Sequence, residues 1–127
     1  MGTYEVSVKG EFGATHSVLL PDGSYESPHG HQWQVTAVFR SSRLDETMGV
    51  VIDFLEAEAS LRAVTDELEG ANLNALPAFS DGRASAERLA EYVANRLADR
   101  LGGDRRLYRL AVTEAPGCEA AFYPQGA

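Results

Sequence analysis

The stretch Pro28-His29-Gly30-His31-Gln32-Trp33-Gln34-Val35 constrains this chain more than any other. Its odd-numbered positions continue as Ala37 and Phe39, so an apolar residue recurs at every second place from Trp33 onward. A period of two is the mark of a β-strand with one buried face. Side chains at i and i+2 of a strand share a face. His29 and His31 therefore project side by side at the mouth of a buried stripe, and Gly30 between them leaves room for a close neighbour. Two imidazoles on one face supply two corners of a zinc tetrahedron. A catalytic zinc takes a third protein ligand and keeps its fourth position open. The remaining histidine of the chain, His16, completes a set of three. Taken alone, the His-x-His pair is a weak signal, and two partly exposed strand histidines are its simpler reading.

The rest of the chain supplies a frame for that strand. Tyr4, Val6 and Val8 alternate with Glu5, Ser7 and Lys9, which predicts a first, half-buried strand over 3–9. Gly10 and Gly13 suggest a bulge or bend in its continuation, with His16 near its end. Residues 18–28 contain Pro21-Asp22-Gly23-Ser24 and Pro28 and predict a loop with a tight turn. The second strand is expected over 31–40. Asp53 is placed to cap a helix, with Glu56 at capping-box spacing. Phe54, Ala57, Leu61, Val64 and Leu68 follow its helical stripe, which should end near Gly70. A second helix is expected from Ser85, burying Ala86, Leu89, Ala90, Val93, Leu97 and Leu101, with Gly102-Gly103 as its stop. Strands over 106–113 and 119–123 follow, joined by Pro116-Gly117. The expected fold is α+β, in the order ββααββ: a four-stranded antiparallel sheet with two helices on one face. Its open edges invite pairing between subunits.

Composition excludes more than it selects. The 127 residues fit a single domain over 1–127. A net charge of −8 leaves no basic footprint for nucleic acid. No apolar run nears the ~20 residues that span a bilayer, so no membrane partner is expected. The start of the chain lacks a charged segment followed by an apolar one, so no signal peptide is expected. Cys118, a lone cysteine, forms no internal disulfide, and the cytoplasm is the expected location.

The order of elements, the His16 strand, the His-Gly-His strand, Gly49-Val50-Val51-Ile52-Asp53-Phe54, Leu73-Asn74 and Thr113-Glu114 together resemble the 6-pyruvoyltetrahydropterin synthase / 6-carboxytetrahydropterin synthase family. The resemblance spans nearly the whole chain. It implies the tunnelling fold, assembly into an oligomeric ring through sheet edges, and active sites between subunits of a homo-oligomer. It implies Zn2+ as cofactor on His16, His29 and His31, and Glu114 as the substrate-binding anchor of a pterin ring. A carboxylate suits that task because it accepts two parallel hydrogen bonds.

Where the family pattern has a catalytic cysteine four residues before His-Gly-His, this chain has Tyr25. Where the pattern has an Asp-His pair before Leu-Asn, it has Glu69 and Gly70. Tyr25 and Glu69 are thus the candidate catalytic residues, with Glu26 a weaker candidate base. The competing readings are a loop aromatic for Tyr25 and a solvated helix-end carboxylate for Glu69. Cys118 is expected to be a buried bystander, Trp33 and Phe39 core residues, and Asp53 a cap. The expected activity is a zinc-dependent lyase or cyclase. It would carry out metal-assisted enolisation, elimination or C–C cleavage on a pterin-like or other enolisable ring compound. The alternatives are a standard synthase acting on 7,8-dihydroneopterin triphosphate and a non-catalytic zinc- or pterin-binding protein.

Overall fold

The structure is a computed structural model that describes residues 2–103 and 106–126. Two long strands dominate it: β1 (Tyr4–His16) and β2 (His29–Ser41). They pair antiparallel without a register break, from Tyr4 opposite Ser41 to His16 opposite His29. Directly opposed residues hold their Cβ atoms about 5 Å apart. The ladder therefore delivers His16 to the pair already aligned on β2.

The bend expected at Gly10 and Gly13 is absent from β1, whose register runs straight through both. The glycines instead make room. A Cβ at Gly10 would sit 3.4 Å from Leu61 and 3.5 Å from Thr65, both on helix α1 (Phe54–Leu68). A Cβ at Gly13 would lie 3.0 Å from the Glu69 carboxylate. The missing side chains let the helix settle onto the strand.

Asp53 caps α1 as expected, its side chain accepting from the Leu55 amide at 2.9 Å. Ala57, Leu61, Val64 and Leu68 are buried. Phe54, expected on the same stripe, is exposed at the helix's first residue. Ser85 caps α2 (Ala86–Arg100), accepting from the Arg88 amide at 3.2 Å. Leu89, Ala90, Val93 and Leu97 face the sheet, Leu101 is only partly buried, and Gly102 and Gly103 end the helix at positive φ.

Two further strands, β4 (Leu107–Ala115) and β5 (Cys118–Phe122), complete the antiparallel set. To these the structure adds β3 (Ala71–Asn72), two residues running parallel to β1 at Ala14 and Thr15. The sheet is thus five-stranded and mixed, in the order β3-β1-β2-β4-β5, not four-stranded and purely antiparallel. A two-residue strand carries no alternation to read. Both helices cover one face of the sheet, and Trp33, Phe12, Phe39, Leu61 and Leu97 lie fully buried between the layers. The other face is polar, with a hollow of about 530 Å³ among Lys9, Glu11, Gln34, Thr36, Thr113 and Glu119. No described helix is long and apolar enough to cross a membrane.

Candidate active site

The three histidines converge where β1 ends and β2 begins. His16 is 1 % exposed. Its Nδ1 donates to the Ala84 carbonyl at 2.8 Å, just ahead of α2. His29 Nδ1 donates to the Ser27 carbonyl at 3.0 Å. A carbonyl can only accept, so each Nδ1 carries its proton and each Nε2 faces inward. Those two Nε2 atoms lie 3.1 Å apart. His31 Nε2 is buried and has no hydrogen-bond partner. Burial holds the His31 imidazole below its ordinary pKa, with the Glu114 carboxylate pulling the other way. A depressed pKa keeps that ring neutral and its lone pair available. The Trp33 ring packs edge-on to both His16 and His31, at centroid distances of 5.0 and 5.3 Å, and makes an apolar floor.

Two carboxylates stand over this cluster. Glu114 Oε1 lies 3.1 Å from His16 Nε2 and 3.8 Å from His31 Nε2. Glu26 Oε1 lies 3.6 Å from His29 Nε2 and also accepts from the Val18 amide at 3.0 Å. Glu114 stands between two clefts. One of about 290 Å³ is lined by Ala86, Glu87 and Cys118, and one of about 460 Å³ by His31, Gln34 and Thr113. A cation among these atoms would satisfy the inward-facing nitrogens, including the buried, partnerless His31 Nε2. The ligand atoms of His16, His29, His31 and Glu114 all lie within 4.8 Å of one another. Nitrogen and oxygen donors at this spacing fit zinc.

The remaining sequence candidates fall elsewhere. Tyr25 is 51 % exposed, and its hydroxyl rests on Gly82, where any side chain would collide with it. Tyr25 bridges to Leu19, and the next residue, Glu26, bonds back to Val18. Alternation along this short paired segment turns Glu26 toward the histidines and Tyr25 away from them. Glu69 caps the end of α1 and accepts from the Gly13 amide at 3.0 Å, while the Gly70 amide donates to the Gly13 carbonyl at 2.7 Å. The described contacts of the histidine cluster include neither Tyr25 nor Glu69. Cys118, expected to be buried, is exposed at the β4–β5 turn.

The fold gives Asn74 a role that its place in the Leu73-Asn74 pair did not announce. Its side chain accepts from the Ser17 amide at 2.8 Å and donates to the Ser17 carbonyl at 3.0 Å. It thereby clamps the backbone immediately after His16. The Leu73-Asn74 pair was a recognisable motif, but only the fold reveals what the amide holds.

A helix-backed, mostly antiparallel sheet with a carboxylate-flanked cluster of three histidines at the end of its longest strands defines an α+β fold of the tunnelling type. The sequence profile of the 6-pyruvoyl tetrahydropterin synthase family matches residues 5–125, and the chain belongs to that family. Among characterised relatives, it is 28% identical over 106 residues to the dihydroneopterin monophosphate aldolase of Pyrococcus furiosus, covering 84% of this chain and 85% of that one. Its fold is shared with the 6-pyruvoyl tetrahydropterin synthase of Caenorhabditis elegans, at a TM-score of 0.82, 19% identity, and 97% and 96% coverage of the two chains. It is shared too with the Plasmodium vivax enzyme, solved as a variant in which a glutamate described as a catalytic residue is replaced by alanine. There the TM-score is 0.71, with 18% identity and 96% and 98% coverage.

Proposed function

We propose that this protein is a zinc-dependent lyase of aldolase type, cleaving a C–C bond in the polyol side chain of a reduced pterin such as dihydroneopterin or its phosphate. The observation that carries this reading is Glu26. It is a carboxylate 3.6 Å from His29 Nε2, oriented by the Val18 amide and 34 % exposed. A retro-aldol cleavage asks for one well-placed base and a polarised oxygen. Zinc on His16, His29 and His31, when bound, supplies Lewis-acid polarisation of a substrate oxygen.

The chain's own groups supply the rest. Glu114 accepts the paired N–H groups of the pterin ring and fixes its orientation. Glu26 takes the proton from the hydroxyl on the second side-chain carbon. The bond between the first and second carbons then breaks, and its electron pair moves into the adjacent ring C=N. Reprotonation at the first carbon leaves a hydroxymethyl pterin and a two-carbon aldehyde. The base role considered for Tyr25 and Glu69 thus passes to Glu26. Tyr25 braces the loop and Glu69 holds the edge of β1. The aldolase name of the Pyrococcus furiosus relative supports the reaction type proposed here. Active sites between subunits of a homo-oligomer fit the open sheet edges on either side.

The test is product analysis. Zinc-loaded protein is incubated with 7,8-dihydroneopterin and with its mono- and triphosphate, and products are read by mass spectrometry. The expected products are the hydroxymethyl pterin and the two-carbon aldehyde. Loss of triphosphate with retention of all three side-chain carbons would instead make the protein a synthase. No conversion by zinc-replete protein would leave it a binding protein. Replacing Glu26 by Gln should lower turnover by ~10²–10⁴-fold, the usual cost of losing a positioned acid–base group.

A further inference from the structure

We propose that Glu114 closes the metal site of the substrate-free protein as a fourth ligand, and is exchanged onto the substrate's N–H edge when substrate binds. This rests on the zinc reading above and adds to it a resting state and a gate.

Three observations lead to it. The first is distance. Zinc bonds to nitrogen and oxygen of about 2.0–2.1 Å place tetrahedral corners about 3.3 Å apart. The separations here are 3.1 Å from His16 to His29, 3.1 Å from His16 to Glu114, and 3.8 Å from His31 to Glu114. Glu114 thus stands at the distance of a fourth ligand from His16 and somewhat farther from His31. The second is the alternative carboxylate. Glu26 approaches His29 alone, and its Oε1 is already engaged by the Val18 amide. Only Glu114 joins the group whose ligand atoms all lie within 4.8 Å.

The third is the backbone beneath Glu114. Pairing of β4 with β2 ends at Thr113 opposite Gln34. Pairing of β4 with β5 shifts register between Thr113 and Ala115. Glu114 therefore sits in a bulge, the local device that re-aims a strand side chain. It is bound by neither ladder, and its side chain is 31 % exposed with a cleft on each side. A residue so placed can turn from the histidines to a ring in the cleft without disturbing the sheet. Pairing with two parallel N–H groups takes both carboxylate oxygens, including the Oε1 that faces the histidines, so full engagement with the ring competes with a bond to the metal. Ring binding and opening of the fourth position are therefore coupled, and the site stays shut to other ligands until the right ring arrives.

Cobalt(II) in place of zinc tests this, because its visible absorption reports the ligand set directly. Full-length protein and Glu114→Ala are loaded with cobalt, with metal content and melting temperature recorded for both. Both are expected to bind one cobalt per chain, with different visible spectra. Zinc affinity, from chelator competition, is expected to fall at least ~10-fold in the variant, since even outer-shell partners of a metal contribute that much. Independently of any variant, titrating 7,8-dihydropterin, a ring without a polyol, into the cobalt protein should move its spectrum. Identical spectra for the two proteins, or no response to the ring, would overturn the exchange while leaving a three-histidine metal site standing. Failure of the unsubstituted protein to bind cobalt or zinc would overturn both.

Discussion

His16 and His29 face each other across one rung of the same ladder, yet the walls that carry them differ. The His16 side chain is wholly buried, while that of His29 is 37 % exposed. His16 is fixed by the Ala84 carbonyl, by Asn74 on the following residue and by Trp33 beneath it. His29 is fixed by Ser27, within the loop that also carries Tyr25 and Glu26. One wall is part of the hydrophobic core. The other is a surface loop, where substitutions cost the fold less than they do in the core. The histidine cluster is thus an outgrowth of folding, whereas Glu26, the base proposed above, is carried by a surface loop.

That contrast is sharpest in the histidine pair. His16→Ala should abolish zinc binding and also destabilise the metal-free protein by roughly 2–4 kcal/mol, because it opens a core cavity and orphans the Ala84 carbonyl. His29→Ala should abolish zinc binding while shifting metal-free stability by only about 0.5 kcal/mol. Denaturant unfolding of both apo-proteins, beside elemental analysis, checks the difference. Equal stability losses would erase the distinction between the walls. Asn74→Ala is the next probe. Loss of two part-buried bonds to Ser17 should cost roughly 1–3 kcal/mol and loosen zinc through displacement of His16. Unfolding midpoints and chelator competition, measured with and without metal, separate these effects. The smallest effect belongs to the loop wall. Tyr25→Phe removes a hydroxyl lying on Gly82, and turnover should change far less than the ~10²-fold expected for loss of an acid–base group. A larger drop in kcat would return Tyr25 to the chemistry.

Much of this architecture was legible in the sequence because most of it is periodic. Alternation marked β1, β2 and β4, the Pro116-Gly117 turn placed β5, and the 3.6-residue stripes and capping residues marked α1 and α2. The three histidines followed from strand parity and from the family resemblance. What escaped was aperiodic. β3 is too short to show alternation. Gly10 and Gly13 declare a missing side chain, not what fills the space, so a helix contact and a carboxylate cap looked like a bend. Phe54 keeps helical phase but sits at the helix tip, where no core remains to receive it. In the 18–28 loop no period decides whether Tyr25 or Glu26 faces inward. That choice is made by the Leu19–Tyr25 bridge, a pairing visible only once the chain is folded.

The cap on β1 has a consequence for what can be added to the sheet. Glu69 and Gly70 engage the amide and carbonyl of Gly13, and β3 continues along Ala14 and Thr15. Among the described residues, no strand lies along the outer side of β1 from Tyr4 to Phe12. A strand laid along this edge has one direction in which to slide and a fixed buffer at the end of it. Gly13 therefore acts as a ruler's zero mark. It limits the alignments open to an incoming strand before any side chain of that strand is consulted, and it keeps the newcomer's end a set distance from the histidines.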